Sequence, residues 1–178
     1  MSARRLALLI PGLFVLVAGC FEAESGLDPA SRARAGDFAL TRIDGSPVEL
    51  SALGGKTVIL DFWATWCAPC EVQMPVLDQL WSDRGDEDVF VLGLSVDTDP
   101  AEDVIAWVDE RGFRYPIAIA DQDLAIDYGV IGFPTLFVID PQGRIHTQHM
   151  GVLSRPELDE ILDEIARERP RETAAAEG

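Results

Sequence analysis

Residues 57–81 constrain the chain most. "TVILDFWA" is an almost unbroken apolar run of strand length, and "TWCAPCEVQMPVLDQL" follows it with a helical pattern. A run of this kind predicts a strand buried on both faces, covered by helices above and below. Asp61 interrupts it with a carboxylate between Leu60 and Phe62. Over 69–81, Val72, Met74, Val76, Leu77 and Leu80 give a helix a broad apolar side, with Glu71 in its first turn. Cys67 and Cys70 fall at the junction of the two elements. No histidine, lysine or arginine occurs between Lys56 and Arg84 to serve them.

That placement has chemical consequences. A cysteine at a helix N-terminus meets free backbone N–H groups and the positive end of the macrodipole, and both favour a thiolate. Cys67 is the expected exposed nucleophile. Cys70 lies three residues on, on the same side of the helix and within disulfide reach, as the thiol that would resolve a mixed disulfide. Pro69 fixes the first turn without losing a needed hydrogen bond. Pro75, mid-helix, removes one bond to the Glu71 carbonyl and predicts a kink.

Outside this stretch the chain divides into segments. Arg4 and Arg5 precede an uncharged apolar run, Leu6 to Gly19. The run is too short for a span of about 20 residues and fits a signal peptide over 1–19. Its end, Leu16-Val17-Ala18-Gly19-Cys20, resembles a bacterial lipobox, which makes Cys20 the expected lipidation site. Residues 20–35 read as a lipidated cysteine and flexible tether, 36–168 as one domain, and 169–178 as a disordered tail. With Cys20 committed to lipid, Cys67 and Cys70 remain, too close together to be a structural framework.

Within the domain, strands alternate with helices. "FALTRIDG" and "PVEL" predict a hairpin. "VFVLGLSV" (89–96), "YPIAIA" and "TLFVID" predict further strands, and "RIHTQHMG" an edge strand. Helices are expected over about 100–111, with Asp99 as N-cap and Pro100 at the first position, over "DQDLAID" up to Gly129, and from Ser154 to about Arg167. This is an α/β pattern with a central, partly parallel sheet between helices. Asp97 reads as part of the turn after the second buried strand.

The residues Asp61-Phe62-Trp63-Ala64, Trp66-Cys67-Ala68-Pro69-Cys70, Pro75 and Gly132-Phe133-Pro134-Thr135 resemble, in order and spacing, the TlpA/ResA-like branch of the thioredoxin superfamily. The resemblance covers roughly 36–168 and includes an inserted helix and strand at about 98–128. It implies a thioredoxin fold, a central mixed sheet flanked by helices, with an N-terminal β-hairpin. It also implies an exported thiol-disulfide oxidoreductase with no cofactor beyond the redox-active pair Cys67–Cys70. Pro134 is the implied cis-proline, and Trp66, Phe133, Pro134 and Thr135 the implied substrate groove, where an extended client strand would pair. Asp61 is the implied proton-transfer acid for Cys70, and a buried carboxylate suits that role. Trp63 reads as a core residue.

The direction of electron flow follows from the surroundings. An Ala-Pro dipeptide without histidine, with Glu71 and Asp61 acidic nearby, disfavours a strongly stabilised thiolate and predicts a reductant. Oxidised exported proteins, apocytochrome c among them, are then the expected clients. A membrane thiol reductase of the CcdA or DsbD type is the expected electron donor, with the domain anchored by lipid on the extracytoplasmic side. A net charge of −17, with Lys56 the one lysine, argues against nucleic acid and suits a self-repelling soluble surface, as in salt-adapted proteins.

Two other functions use the same fold. A redoxin-type thiol peroxidase would use Cys67 with Thr65 two residues before it, but no arginine lies close in sequence. A non-catalytic chaperone or binding module would survive loss of both cysteines. A copper-delivery role would need a wider cysteine spacing and a histidine near 133. No metal site is expected: His146 and His149, three apart on a predicted strand, point to opposite faces, and a second cysteine pair is missing.

Overall fold

Seven consecutive residues of the apolar run, Thr57–Trp63, form a strand (β3) in which every side chain is buried. The computed structural model describes residues 29–85 and 88–168. The expected signal segment, Cys20 and the C-terminal tail lie outside the described residues. The elements are β1 (Ala39–Thr41), β2 (Pro47–Glu49), β3, α1 (Ala68–Arg84), β4 (Val89–Ser95), α2 (Ala101–Arg111), β5 (Ile117–Ile119), α3 (Gln122–Asp127), β6 (Thr135–Ile139), β7 (Ile145–Met150) and α4 (Arg155–Glu168).

The main sheet has the order β5-β4-β3-β6-β7. β4 runs parallel to β3 and β5 parallel to β4, while β6 and β7 are antiparallel to their neighbours. It is the mixed sheet expected, and β1 and β2 form the separate antiparallel hairpin. β3 lies at its centre and β4 is also wholly buried, as their lack of polar alternation requires. Phe62, Trp63, Leu92, Leu94, Leu136 and Phe137 are among the largest fully buried side chains. Each such side chain contributes roughly 1.5–3 kcal/mol relative to exposure.

Both sheet edges are covered. Arg42 bridges Ala118 and the Ile43 amide donates to the Ile117 carbonyl, so the end of the hairpin lies on β5. At the other edge, the Ala35 amide donates to Gly143 and the Ile145 amide to Ala33. Residues 33–35, read from sequence as the end of a tether, therefore pair with the start of β7. Unpaired edge groups would otherwise template further pairing.

One expected cap is displaced. Asp99 does not cap α2: Pro100 is the N-cap, with extended φ −54 and ψ 141, and its carbonyl accepts from the Asp103 amide. A proline has fixed φ but free ψ, so it can close the loop as readily as open the helix. α1 is longer than the spacing predicts at both ends and continues through Pro75.

Candidate active site

β3 ends at Trp63, and a short turn delivers Thr65 and Trp66 to the start of α1. Cys67 is the N-cap of that helix, and the Cys70 amide donates to its Sγ at 3.3 Å. Pro69 lies in the first turn. The two sulfurs form a disulfide, S–S 2.07 Å with Cα atoms 5.3 Å apart. Cys67 is the more accessible, at 5% against 0% for Cys70. It is less open than a free nucleophile was expected to be.

Asp97, read as part of a turn, holds this turn in place. Its carboxylate accepts from the Thr65 amide at 3.0 and 3.1 Å and from the Thr65 hydroxyl at 2.7 Å. The Ser95 hydroxyl donates to it as well, at 2.7 Å. Asp97 is buried, so these charge-assisted bonds are strong.

The loop Gly132-Phe133-Pro134-Thr135 meets Trp66, the residue before Cys67, through Phe133. The Phe133–Pro134 peptide is cis, as the resemblance implies. Trp66 is 68% exposed and meets the Phe133 ring edge-on, with centroids 5.7 Å apart. These two side chains form an apolar rim. Pro134 and Thr135 are buried instead. Thr135 does not line a groove: its hydroxyl donates to the Gly132 carbonyl at 2.7 Å and braces the loop. The Pro134 carbonyl accepts from the Gly151 amide, and the next residues are tied to α1 where the Leu153 amide donates to the buried Gln73 Oε1 at 2.7 Å. Ile131, 89% exposed, and Met150, 58% exposed, extend the apolar surface of this loop. Met150 packs at Gly132, where an added Cβ would lie 3.1 Å from its sulfur. Sequence reading missed both, because Met150 reaches the loop through the β6–β7 pairing.

Asp61 is fully buried in β3, opposite Gly93 of β4 and Leu136 of β6. Neither carboxylate oxygen has a hydrogen-bond partner, and burial pushes its pKa up to about 8. The carboxyl is therefore mostly protonated at neutral pH. The buried Tyr115 hydroxyl and Trp63 Nε1 are likewise unpartnered, and burial first, then the charges of Asp61 and Asp78, push the Tyr115 pKa up. Trp63 itself packs in the core on Trp107, centroids 5.2 Å apart.

The expectation that no cation lies near the pair needs correction. Arg111, at the end of α2, stacks 3.7 Å from the centroid of Trp107 and places Nη2 3.3 Å from Glu71 Oε1. Glu71 follows Cys70 directly, so its charge is partly answered. The partners are 40 residues apart in sequence, which is why the pairing was not legible there.

Residues 32–148 match the family model described as AhpC/TSA. The chain belongs to the AhpC/TSA family. Within it, the chain is 34% identical over 154 residues to the thiol-disulfide oxidoreductase ResA of Bacillus cereus, covering 85% of this chain and 87% of that protein. It is 33% identical over 131 residues to the thioredoxin-like protein YneN of Bacillus subtilis, covering 73% and 77%. Among solved structures, a thioredoxin-family thiol:disulfide interchange protein from Chlorobium tepidum superposes with a TM-score of 0.68 at 28% identity, over 75% of this chain and 96% of that one. The exposed lipoprotein thioredoxin Etrx1 of Streptococcus pneumoniae gives 0.66 at 30%, over 72% and 99%. The fold is thioredoxin-like, and this AhpC/TSA member is a thiol-disulfide oxidoreductase with its cysteine pair at a helix N-terminus.

Proposed function

We propose that the protein is a reductant of disulfides in exported proteins, held on the extracytoplasmic side of a membrane by lipid on Cys20. The observation that carries the direction is the hydrogen bond at Cys67 Sγ, which comes from a backbone amide and not from a histidine or other cation. A helix end alone stabilises a thiolate modestly and leaves the dithiol a good electron donor. The Arg111 pairing at Glu71 and the protonation of most Asp61 weaken the two acidic charges that disfavour a thiolate here. Among the described residues, no cationic side chain bonds the sulfur, and that still separates the site from a strong oxidant.

The reaction balances on the pair. The Cys67 thiolate attacks one client sulfur, and the other client sulfur leaves as a thiolate. Cys70, deprotonated, then attacks Cys67 Sγ. The client leaves with both sulfurs reduced, and Cys67–Cys70 is left as the disulfide. Asp61 in its ionised form takes the Cys70 proton. With a pKa of about 8, roughly a tenth of the molecules carry that base at pH 7. Electrons return from a membrane thiol reductase of the CcdA or DsbD type. Trp66 and Phe133 offer the client an apolar contact beside Cys67. The relative from Streptococcus pneumoniae is named an exposed lipoprotein, which supports the extracytoplasmic placement. Among the described residues, no helix is long and apolar enough to cross a membrane.

The peroxidase alternative draws less support, because the Thr65 hydroxyl is committed to Asp97. Cys70→Ser in the full chain tests the main reading. It should accumulate mixed disulfides with envelope proteins, apocytochrome c among the candidates. Peroxide consumption without any trapped protein would contradict it.

A further inference from the structure

At the end of β7 far from the cysteine pair, His146 faces α4. Its side chain is 5% exposed. Its Nδ1 is engaged with the Thr147 hydroxyl at 2.9 Å. Its Nε2 is buried without a hydrogen-bond partner and aims at two carboxylates one helical turn apart on α4, Glu164 Oε2 at 4.0 Å and Glu168 Oε1 at 3.9 Å. One ligand atom from each of the three residues lies within 4.8 Å of the other two. A buried imidazole nitrogen with no partner is costly, and two carboxylates beyond hydrogen-bond range do not relieve it.

We propose that His146, Glu164 and Glu168 form a binding site for a divalent transition metal of the zinc class, separate from the redox centre. Imidazole and carboxylate oxygen are zinc ligands, at about 2.0–2.2 Å. Ligand atoms in a tetrahedral site lie about 3.3–3.5 Å apart, so each carboxylate needs to approach His146 by roughly half an ångström, and the two carboxylates each other by up to about 1.4 Å. Glu164, 53% exposed, has room to turn and leaves a fourth position open to water.

The surroundings of the three ligands match what such a site requires. Ligating groups are normally held by outer partners that fix tautomer and orientation. Thr147 holds His146 at Nδ1, which leaves Nε2 to the metal. Arg32 grips Glu168 with two bonds, at 2.5 and 2.8 Å. The charge also fits. The groups acting on His146 are one guanidinium, Arg32, and three carboxylates, Glu168, Glu164 and Asp140. A dication would bring them to neutrality. The sequence reading considered His146 only with His149 on the same strand. The partners instead come from a helix near the C-terminal end of the domain. Bound metal would fasten β7 to α4 and, through Arg32, to the segment that enters the domain.

The test uses the full chain with Cys67–Cys70 oxidised and any other thiol alkylated, so that no sulfur competes. Zinc is titrated by calorimetry against a chelator, with magnesium as the comparison ion. The proposal predicts one zinc per chain, and a melting temperature raised on the order of 5 °C at a hundredfold excess over Kd. His146→Ala should weaken zinc binding by about 100-fold or more. Glu164→Gln should weaken it by about 10–100-fold while leaving the metal-free melting temperature unchanged, because the residue is half exposed. Failure of zinc to bind stoichiometrically would overturn the proposal. So would zinc binding undiminished in Glu164→Gln, or magnesium binding as tightly as zinc, since either would mean that the acidic surface alone attracts cations.

Discussion

A carboxyl group with a pKa of about 8 is a base in half of the molecules at pH 8 and in few at pH 6. If Asp61 takes the Cys70 proton, resolution of a mixed disulfide should speed up about tenfold per pH unit below 8 and level off above it. Asp61→Asn should flatten that profile, which stopped-flow thiol exchange measures. The same residue sets a stability trend. Its folded pKa of about 8 lies above the ordinary 3.8, so the native state binds more protons than the unfolded chain between those values. Stability from this group therefore falls as pH rises from about 4 to 8 and is flat outside that window. Asp61→Asn should raise stability more at pH 8 than at pH 5, by on the order of 2–4 kcal/mol in chemical denaturation. An equal effect at both pH values would mean that Asp61 titrates normally. Asp97 acts through geometry. Asp97→Ala removes charge-assisted bonds to Thr65 and Ser95 and should cost about 2–3 kcal/mol. It should also slow client reduction, with partial rescue by Asp97→Asn.

At the scale of elements, most of what positions the pair was legible. The apolar runs at 57–64 and 89–96 could only be central strands, and the Cys67–Pro69 sequence marks a helix start. Caps were legible where a side chain makes the bond. The Ser154 amide and hydroxyl both reach Glu157 Oε2 ahead of α4, at 2.8 and 2.5 Å. Ser154→Ala should lower the melting temperature by about 2–4 °C, since such a cap is worth about 1 kcal/mol. Asp99 and Pro100 misled because the proline's own carbonyl starts α2. Long-range pairing was not legible at all. Arg111 on Glu71, Gln73 on Leu153 and Met150 at Gly132 depend on how α2, β7 and α4 settle around α1. No local pattern encodes those contacts.

For the molecule as a whole, surface charge and redox poise set the expected behaviour. A chain with net charge −17 repels itself when folded, and salt screens that repulsion. Stability should therefore rise between 0.05 and 1 M sodium chloride; equal melting temperatures across that range would remove salt adaptation as an explanation of the composition. The redox poise rests on the Cys67 sulfur, whose hydrogen bond comes from a backbone amide. The measurement that tests it most directly is the reduction potential of Cys67–Cys70 at equilibrium with glutathione at pH 7. A reductant of the kind proposed should lie near the thioredoxin value of about −270 mV, whereas a value near −120 mV would make the protein a disulfide donor and contradict the assignment.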